Sequence, residues 1–249
     1  MEIIKYEKKK NGMYCVYFSN GNNVDIHEDI ILKYNLLIKK EASDNEIDKM
    51  LDENKVYIAY DLSIKYIATK MRSRKEIREY LIKKLFDKDT IDKVLLLLEK
   101  EKYIDDYTYA KAFVNDKILL SNDGPYKIES KLKELGIKED AIIKALSLFD
   151  SELQKERISK LINKYKNINK NKSNFVLKNK ISINLVNLGY DRSIINSLLN
   201  TSNFGDDSDI ARKEYEKIYK RLSKKYSGSE LEYRIKQKMY SLGFNNYDL

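Results

Sequence analysis

The sequence predicts a mainly α protein built from tandem three-helix-bundle repeats in an elongated curved array, preceded by a small N-terminal β meander. Two observations predict helices. The 249 residues include only one proline and eight glycines, a composition that disfavours a turn-rich sheet protein. Apolar residues also recur at helical spacing, and that pattern itself repeats every fifty or so residues. With 42% hydrophobic residues the chain can bury a core.

The N-terminal segment, residues 1–52, differs from the rest. It contains three short β-prone runs, at residues 2–7, 13–18 and 23–27. The runs are separated by Asn11-Gly12 and Asn20-Gly21, dipeptides that accept the positive φ angles of tight hairpin turns. An isolated hairpin is only marginally stable, so we expect Val16 and Phe18 to dock the meander on the helical body. Two short helices are predicted near residues 29–34 and 44–51.

The helical body carries one apolar pattern four times. Its members are Ile77, Leu81 and Phe86; Ile128, Leu132 and Ile137; Ile181, Leu185 and Tyr190; and Ile235, Met239 and Phe244. The first two residues of each set are four apart, so they lie on one helix face, and the third follows the helix end. Gly136, Gly189 and Gly243 precede the third residue, which predicts a left-handed residue that ends the helix.

Each pattern lies between two further helices. The leading helices are predicted at residues 59–71, 107–120, 152–165 and 209–224, and the third helices at 91–98, 142–149 and 194–199. The third helix of the fourth repeat would begin at Leu249, where the sequence stops. The predicted repeats are therefore residues 55–104, 105–150, 151–200 and a partial repeat at 207–249. Units of this size bury little surface alone, so we expect them to pack end to end.

The net charge of +9 is confined to one part of the chain. Residues 1–150 hold 28 basic and 28 acidic residues, whereas residues 151–249 hold 20 and 11. Nine basic residues and a single acid, Glu156, lie between Lys155 and Lys180. Such a run favours binding to a polyanion through counterion release. A solvated helix face produced by lysine-rich coding bias is the alternative, and it stays open.

No residue of the sequence makes a credible nucleophile or general base. There is no glycine-rich phosphate loop, and Cys15 and His27 are the single cysteine and histidine. We expect His27 on the hairpin surface and Asp105 and Asp106 as helix caps. The prediction is a protein without catalytic residues, cofactor or metal site. A lone cysteine, no secretory signal and a longest apolar run of four leucines predict a cytoplasmic protein without a membrane span.

Three motifs carry a resemblance to a known family. They are MRSRKEI at residues 71–77 with Leu81; YIDD at 103–106 followed by Tyr109-Ala110; and GPYKI at 124–128 with Leu132 and Gly136-Ile137. In this order and spacing, across residues 59–199, the chain closely resembles the RecX family of bacterial recombination regulators. It departs from the family at Leu85 and Lys102, where the family usually has glycine. A left-handed non-glycine residue there costs up to about 1 kcal/mol.

The resemblance implies a non-enzymatic protein that binds the RecA recombinase filament on single-stranded DNA. Such a protein inhibits or modulates strand exchange, recombination and the SOS response to DNA damage. Binding to double-stranded DNA stays open, and a monomer is expected. Two alternatives also stay open: a nucleic-acid-binding repeat protein that acts without recombinase, and a pure protein scaffold.

Candidate contact residues follow from the way such an array would lie on a filament, with its basic C-terminal half toward the DNA and with Arg72 and Arg74 between the first two helices of repeat 1. The filament-binding or DNA-binding set is Arg72, Arg74, Lys160, Lys164, Lys170, Lys172, Lys178, Arg212, Lys220, Arg221, Lys224 and Lys225. Three tyrosines interleave with it as candidates for base stacking: Tyr165, Tyr219 and Tyr226. The alternatives are a solvated charge or a helix salt bridge for Arg72 and Arg74, and a core position for each tyrosine.

Overall fold

A computed structural model describes residues 1–10, 12–169 and 171–244. Those residues form three strands and thirteen helices, which confirms the mainly α class with a small N-terminal sheet. The chain divides into two compact units. Unit 1 comprises Met1–Ala110 and Leu132–Ile142; unit 2 comprises Lys111–Lys131 and the described residues from Ile143 onward. The elongated curved array and the boundaries between repeats stay predictions.

The N-terminal strands form the predicted antiparallel meander. Their bounds are β1 (Ile3–Lys8), β2 (Met13–Phe18) and β3 (Asn23–His27), in the order β1-β2-β3. Val16 pairs with Tyr6 on one side and Val24 on the other. Val16 and Phe18 are buried in a cluster that includes Met50, so the predicted docking on a helix is confirmed. In the first turn Gly12 has φ +69°, while Asn11 lies outside the described residues.

The helices after the sheet differ from the prediction at one point. They are α1 (Glu28–Lys33), α2 (Leu36–Lys39) and α3 (Asp44–Thr69). The prediction of separate helices at 44–51 and 59–71 was wrong, because α3 is one helix of 26 residues. A capping box between Ser43 and Glu46 begins it, and neither glycine nor proline interrupts it. Met50 packs into the N-terminal cluster and Ala59 into the first repeat, so one helix serves both cores.

The expectation that His27 lies on the hairpin surface was also wrong. His27 is 6% exposed, and its ring stacks on Tyr57 at 5.8 Å between centroids. Its Nε2 lies 3.2 Å from Asp61 Oδ2, and its backbone N–H donates to Asn54 Oδ1 at 2.8 Å. The sheet docks on α3 through the end of β3, and this contact covers the ring.

The remaining helices are named by the predicted repeat in which each of them lies. Repeat 1 consists of the end of α3, α4 (Arg74–Lys83) and α5 (Lys88–Lys100); repeat 2 of α6 (Asp106–Leu120), α7 (Pro125–Glu134) and α8 (Glu139–Leu146); repeat 3 of α9 (Ser151–Ile168), α10 (Asn174–Asn187) and α11 (Arg192–Thr201); and repeat 4 of α12 (Ser208–Leu222) and α13 (Gly228–Ser241). The equivalent Ile77, Ile128, Ile181 and Ile235 are all buried, as predicted. Leu249 lies outside the described residues.

The second helix of every repeat ends in a left-handed residue. Leu85, Gly136, Gly189 and Gly243 have φ of +65°, +74°, +89° and +83°. The next residue then donates its N–H back into the helix, as Tyr190 does to the Leu185 carbonyl at 3.2 Å. The helix ends predicted at the three glycines are confirmed, and Leu85, where the departure from the family pattern left the turn geometry open, is also left-handed. Lys102, the other departure from the family pattern, also has positive φ, at +61°.

Each glycine helix end contacts the start of the second helix of the preceding repeat, a contact we call the repeat joint. Between repeats 2 and 3, the N–H groups of Gly124 and Tyr126 donate to the carbonyls of Leu188 and Gly189, at 2.6 and 3.0 Å. A Cβ on Gly189 would lie 2.5 Å from the Lys127 nitrogen. Glycine is therefore required by both its φ and the close approach.

The other two joints have the same design. Lys75 Nζ donates to the Glu134 carbonyl at 2.8 Å, and Ser173 Oγ donates to the Leu242 carbonyl at 2.7 Å. A Cβ on Gly243 would lie 2.5 Å from Ser173 Oγ. Leu85 ends the corresponding helix of the first repeat, where no earlier repeat exists, and its side chain is 93% exposed. The close approach found at Gly189 and Gly243 is absent at this exposed position, which explains why leucine is tolerated.

Candidate nucleic-acid interface

The two compact units carry very different charges. Unit 1 contains 23 basic and 24 acidic residues, whereas unit 2 contains 25 basic and 15 acidic residues. The whole excess of positive charge therefore belongs to unit 2. This charge distribution favours a polyanion at unit 2 over unit 1.

Unit 2 contains a groove between the end of α6 and one face of α9, which we call the basic groove. Its volume is about 390 Å³. Arg157, Lys160 and Lys164 line it, because their spacing of three and four residues places them on one helix face. Ile118 and Asn122 form part of the opposite wall. The basic groove thus joins three cations to an apolar surface and an amide, groups that can bind phosphate and the edge or face of a base.

Arg157 is held firmly at this groove. Its Nη2 donates to the Ser121 carbonyl, and its guanidinium lies 5.5 Å from the centre of the Phe149 ring. Its Nη1 is buried and has no hydrogen-bond partner among the described residues. The guanidinium of Arg157 is therefore more restricted in position than the ammonium of Lys160, which is exposed and pairs with Glu156 on the same helix.

A second cluster of cations surrounds the buried carboxylate of Asp123. Lys127, Lys131 and Lys117 place their Nζ atoms 2.7, 3.1 and 3.9 Å from its oxygens. Burial opposes ionisation, but the hydrogen bonds from Lys127 and Lys131 outweigh it and lower the pKa of Asp123 below its ordinary value. Three ammonium groups around one carboxylate leave a net positive surface beside the loop that receives Arg157.

Arg157 and the lysines around Asp123 are not among the contact residues predicted from the sequence. Lys127 and Lys131 are four residues apart on α7, which would have placed both on one face. Their convergence on Asp123 requires the loop after α6 to fold back, and no local pattern encodes that. Arg157 lies in the basic run but was not separated from its neighbours.

The lysines at the end of α9 and on α10 form another group. Lys166 and Lys178 each lie 5.0 Å from the centre of the Phe204 ring, and Lys166 also donates to the Asn203 carbonyl. Lys172 is exposed just before α10. Lys170 lies outside the described residues. The structure therefore brings Lys178 together with Lys166 around an aromatic ring.

The basic residues of the fourth repeat lie on and just after α12, and all of them are exposed: Arg212, Lys220, Arg221, Lys224 and Lys225. Arg212 lies 3.6 Å from Asp209 on the same helix. Such exposed pairs are weak, so the side chain remains available to a ligand.

The three tyrosines proposed for base stacking differ in exposure. Tyr219 on α12 is half exposed, and its ring stacks on Tyr215 at 6.2 Å. Tyr226 is half buried, with the guanidinium of Arg234 4.1 Å from its ring centre, and Tyr165 is half buried on α9. Of the three, Tyr219 presents the most ring surface to a base.

Arg72 and Arg74 lie in unit 1 and have partners within the protein. Arg72 is 17% exposed in its side chain, with its guanidinium 3.9 Å from the Tyr66 ring centre and 3.5 Å from Glu76. Arg74 Nε lies 2.7 Å from Glu99 Oε1. These contacts favour the salt-bridge alternative for both arginines.

The described residues contain neither a metal-binding cluster nor a membrane-spanning helix. No group of three or more histidine, cysteine, aspartate or glutamate side chains there could hold a metal ion. None of the helices in that part of the chain combines the length and apolar character needed to cross a membrane.

Two family models match the chain within the helical body. The first, described as the first three-helix domain of RecX, matches residues 59–96, and the second, described as the second three-helix domain of RecX, matches residues 105–146. The first range lies within the predicted repeat 1, residues 55–104, and the second within the predicted repeat 2, residues 105–150.

Curated relatives and solved structures agree with the family models. A regulatory protein RecX from Streptococcus pneumoniae is 32% identical over 100% of this chain and 97% of its own length. One from Oceanobacillus iheyensis is 29% identical over 97% of this chain and 92% of its own. A crystal structure of a regulatory protein RecX has a TM-score of 0.72 at 25% identity, covering 80% of this chain and 98% of that chain. RecX from Lactobacillus salivarius has a TM-score of 0.57 at 26% identity, covering 59% of this chain and 96% of that chain.

Proposed function

This chain belongs to the RecX family, and from that premise we propose that it is a non-enzymatic regulator of the RecA recombinase. In this proposal it binds the RecA filament on single-stranded DNA and inhibits or modulates strand exchange, recombination and the SOS response. It acts in the cytoplasm as a monomer.

The observation that carries the DNA part of the proposal is the charge of unit 2. All of the excess positive charge belongs to this unit, and Arg157, Lys160 and Lys164 share one groove in it. Phosphates bound there would release condensed counterions, which supplies affinity without base specificity. Contacts from several repeats to one filament add as a multivalent attachment, so each contact can be weak.

The proposal is tested by measuring RecA-driven ATP hydrolysis and strand exchange on single-stranded DNA with substoichiometric protein. We expect the wild type to change both rates. A variant with Lys160, Lys164, Lys170 and Lys172 changed to glutamate should lose most of the effect. The matched control changes four exposed lysines of unit 1 to glutamate, namely Lys49, Lys65, Lys83 and Lys88. Unchanged rates with the wild type would refute the proposal, and equal losses in both variants would refute the role of unit 2.

A second candidate function is binding to nucleic acid without recombinase. The basic groove favours it, since its three cations require no protein partner to attract a phosphate chain. Tight binding to single-stranded DNA in the absence of RecA, weakening steeply with salt, would support this candidate. Affinity that appears only when RecA coats the DNA would exclude it.

A further inference from the structure

Unit 1 contains a larger groove of opposite character, which we call the acidic groove. Its volume is about 720 Å³, and its residues come from α1, α3 and α5. The stripe from α5 is Lys93, Leu96, Leu97 and Lys100, and the facing stripe on α3 includes Val56, Tyr57 and Tyr60. Spacings of three and four residues align each stripe along its helix. Two parallel stripes of this kind form the walls that an added helix requires.

The centre of the acidic groove is apolar and accessible. Leu96 is 60% exposed and Leu97 is also exposed, although both belong to a helix whose opposite face fills the core of repeat 1. Tyr57 and Tyr60 face them with half-buried rings. Leucines beside tyrosines in a recess offer an anchor point for an apolar side chain from a partner.

The charges at the edges of this groove select the partner. Four carboxylates lie on the side formed by α1 and α3: Asp29, Asp52, Glu53 and Asp61. Lys33 is the only lining cation on that side, and it pairs with Glu53 at 2.8 Å. A nucleic acid would be repelled there. The opposite edge presents Lys93, Lys100 and Glu101, and Glu101 accepts a hydrogen bond from the Tyr60 hydroxyl.

We propose that the acidic groove binds an amphipathic helix of the RecA subunit. The helix would place an apolar side chain between Leu96 and Tyr57, and lysine or arginine residues along the edge that faces Asp29 and Asp61. Unit 1 then binds the protein part of the filament, while unit 2 binds its DNA. This inference rests on the proposed function, which names the recombinase as the partner.

The test compares two arginine substitutions in the full-length chain. Leu96→Arg places a charge in the apolar centre of the groove. Ile82→Arg is the matched control, since Ile82 is 54% exposed on α4 of the same unit and does not line the groove. Binding to RecA is measured without DNA and to RecA filaments on single-stranded DNA, using RecA from the same organism. We expect Leu96→Arg to weaken both by about tenfold or more, and Ile82→Arg to change neither.

A photo-crosslinking residue at position 96 supplies an independent readout. We expect it to attach to a RecA peptide from a helix with lysine or arginine along one edge, and position 82 to give no such product. An unchanged affinity of Leu96→Arg, or a crosslink from position 96 to DNA, would overturn the acidic groove as the RecA contact. A wild-type chain that binds no RecA would overturn the proposed function and this inference together. A wild-type chain that binds RecA, with Leu96→Arg unchanged in affinity, would overturn this inference alone.

Discussion

Gly189→Ala is a substitution for which the structure predicts a large local effect. Gly189 ends the second helix of repeat 3 at the repeat joint with repeat 2, with φ +89°. An alanine Cβ would lie 2.5 Å from the backbone nitrogen of Lys127 and 2.7 Å from its Cβ. The first atom belongs to the backbone and the second is bonded to it, so a change of side-chain rotamer cannot relieve the overlap.

The expected cost has two parts. A non-glycine residue at this φ costs about 1 kcal/mol. Forcing a methyl group into the joint adds about 1–3 kcal/mol, as overpacking does elsewhere. The free energy of unfolding should therefore fall by about 2–4 kcal/mol in total. Gly205→Ala is the matched control, because Gly205 has φ +72° but no atom within 4 Å of the added Cβ.

Urea unfolding followed by far-ultraviolet circular dichroism measures both variants. Gly205→Ala should lose only the conformational part, about 1 kcal/mol. If both variants lost the same stability, the repeat joint would not require a close approach and the reasoning would fail. A Gly189→Ala variant as stable as the wild type would refute the assignment of φ as well.

Three further predictions follow from particular contacts and from the repeats. Arg72→Ala should lower the free energy of unfolding by about 1–2 kcal/mol, because it removes the contacts with Tyr66 and Glu76. Its affinity for the filament should be unchanged. Thermal unfolding and filament binding together distinguish this structural role from a direct contact with the filament. The hydrogen bond from Lys39 helps to lower the pKa of Glu46 from 4.5 to about 2. The ionised Glu46 therefore adds its full stabilisation of the folded state above pH 4.5 and loses it as the pH falls toward 2. A carboxyl NMR titration with a midpoint near 4.5 would contradict this. The predicted elongated array should give a radius of gyration above the ~18 Å of a compact chain of this length by small-angle scattering, and a value near 18 Å would refute it.

The repeats were predictable from sequence because their signals are local. Ile128 and Leu132 lie on one helix face by spacing alone, and Gly136 is placed where a helix must end in a left-handed residue. The left-handed conformation of Leu85 was not predicted, because a leucine gives no local signal for a positive φ. The concentration of positive charge in the C-terminal part of the chain was also evident from the sequence, because it requires only a count of basic and acidic residues.

Much of the candidate site was not predictable. Arg72 was a candidate for filament binding, yet the structure covers it with Tyr66. His27 was expected on the surface, but α3 extends far enough to bring Tyr57 and Asp61 to its ring. In both cases the deciding partner lies on another element.

The sequence by itself determined the repeated helices, their ends and the uneven distribution of charge, because periodicity and backbone preference act over a few neighbouring residues. Tertiary structure decided which cations are exposed and which are held, as with Lys160 on the surface and Lys127 bound to Asp123. It also created the basic and acidic grooves from helices that are distant in sequence. Burial and electrostatic partners depend on distances between elements, and those distances exist only once the chain has folded.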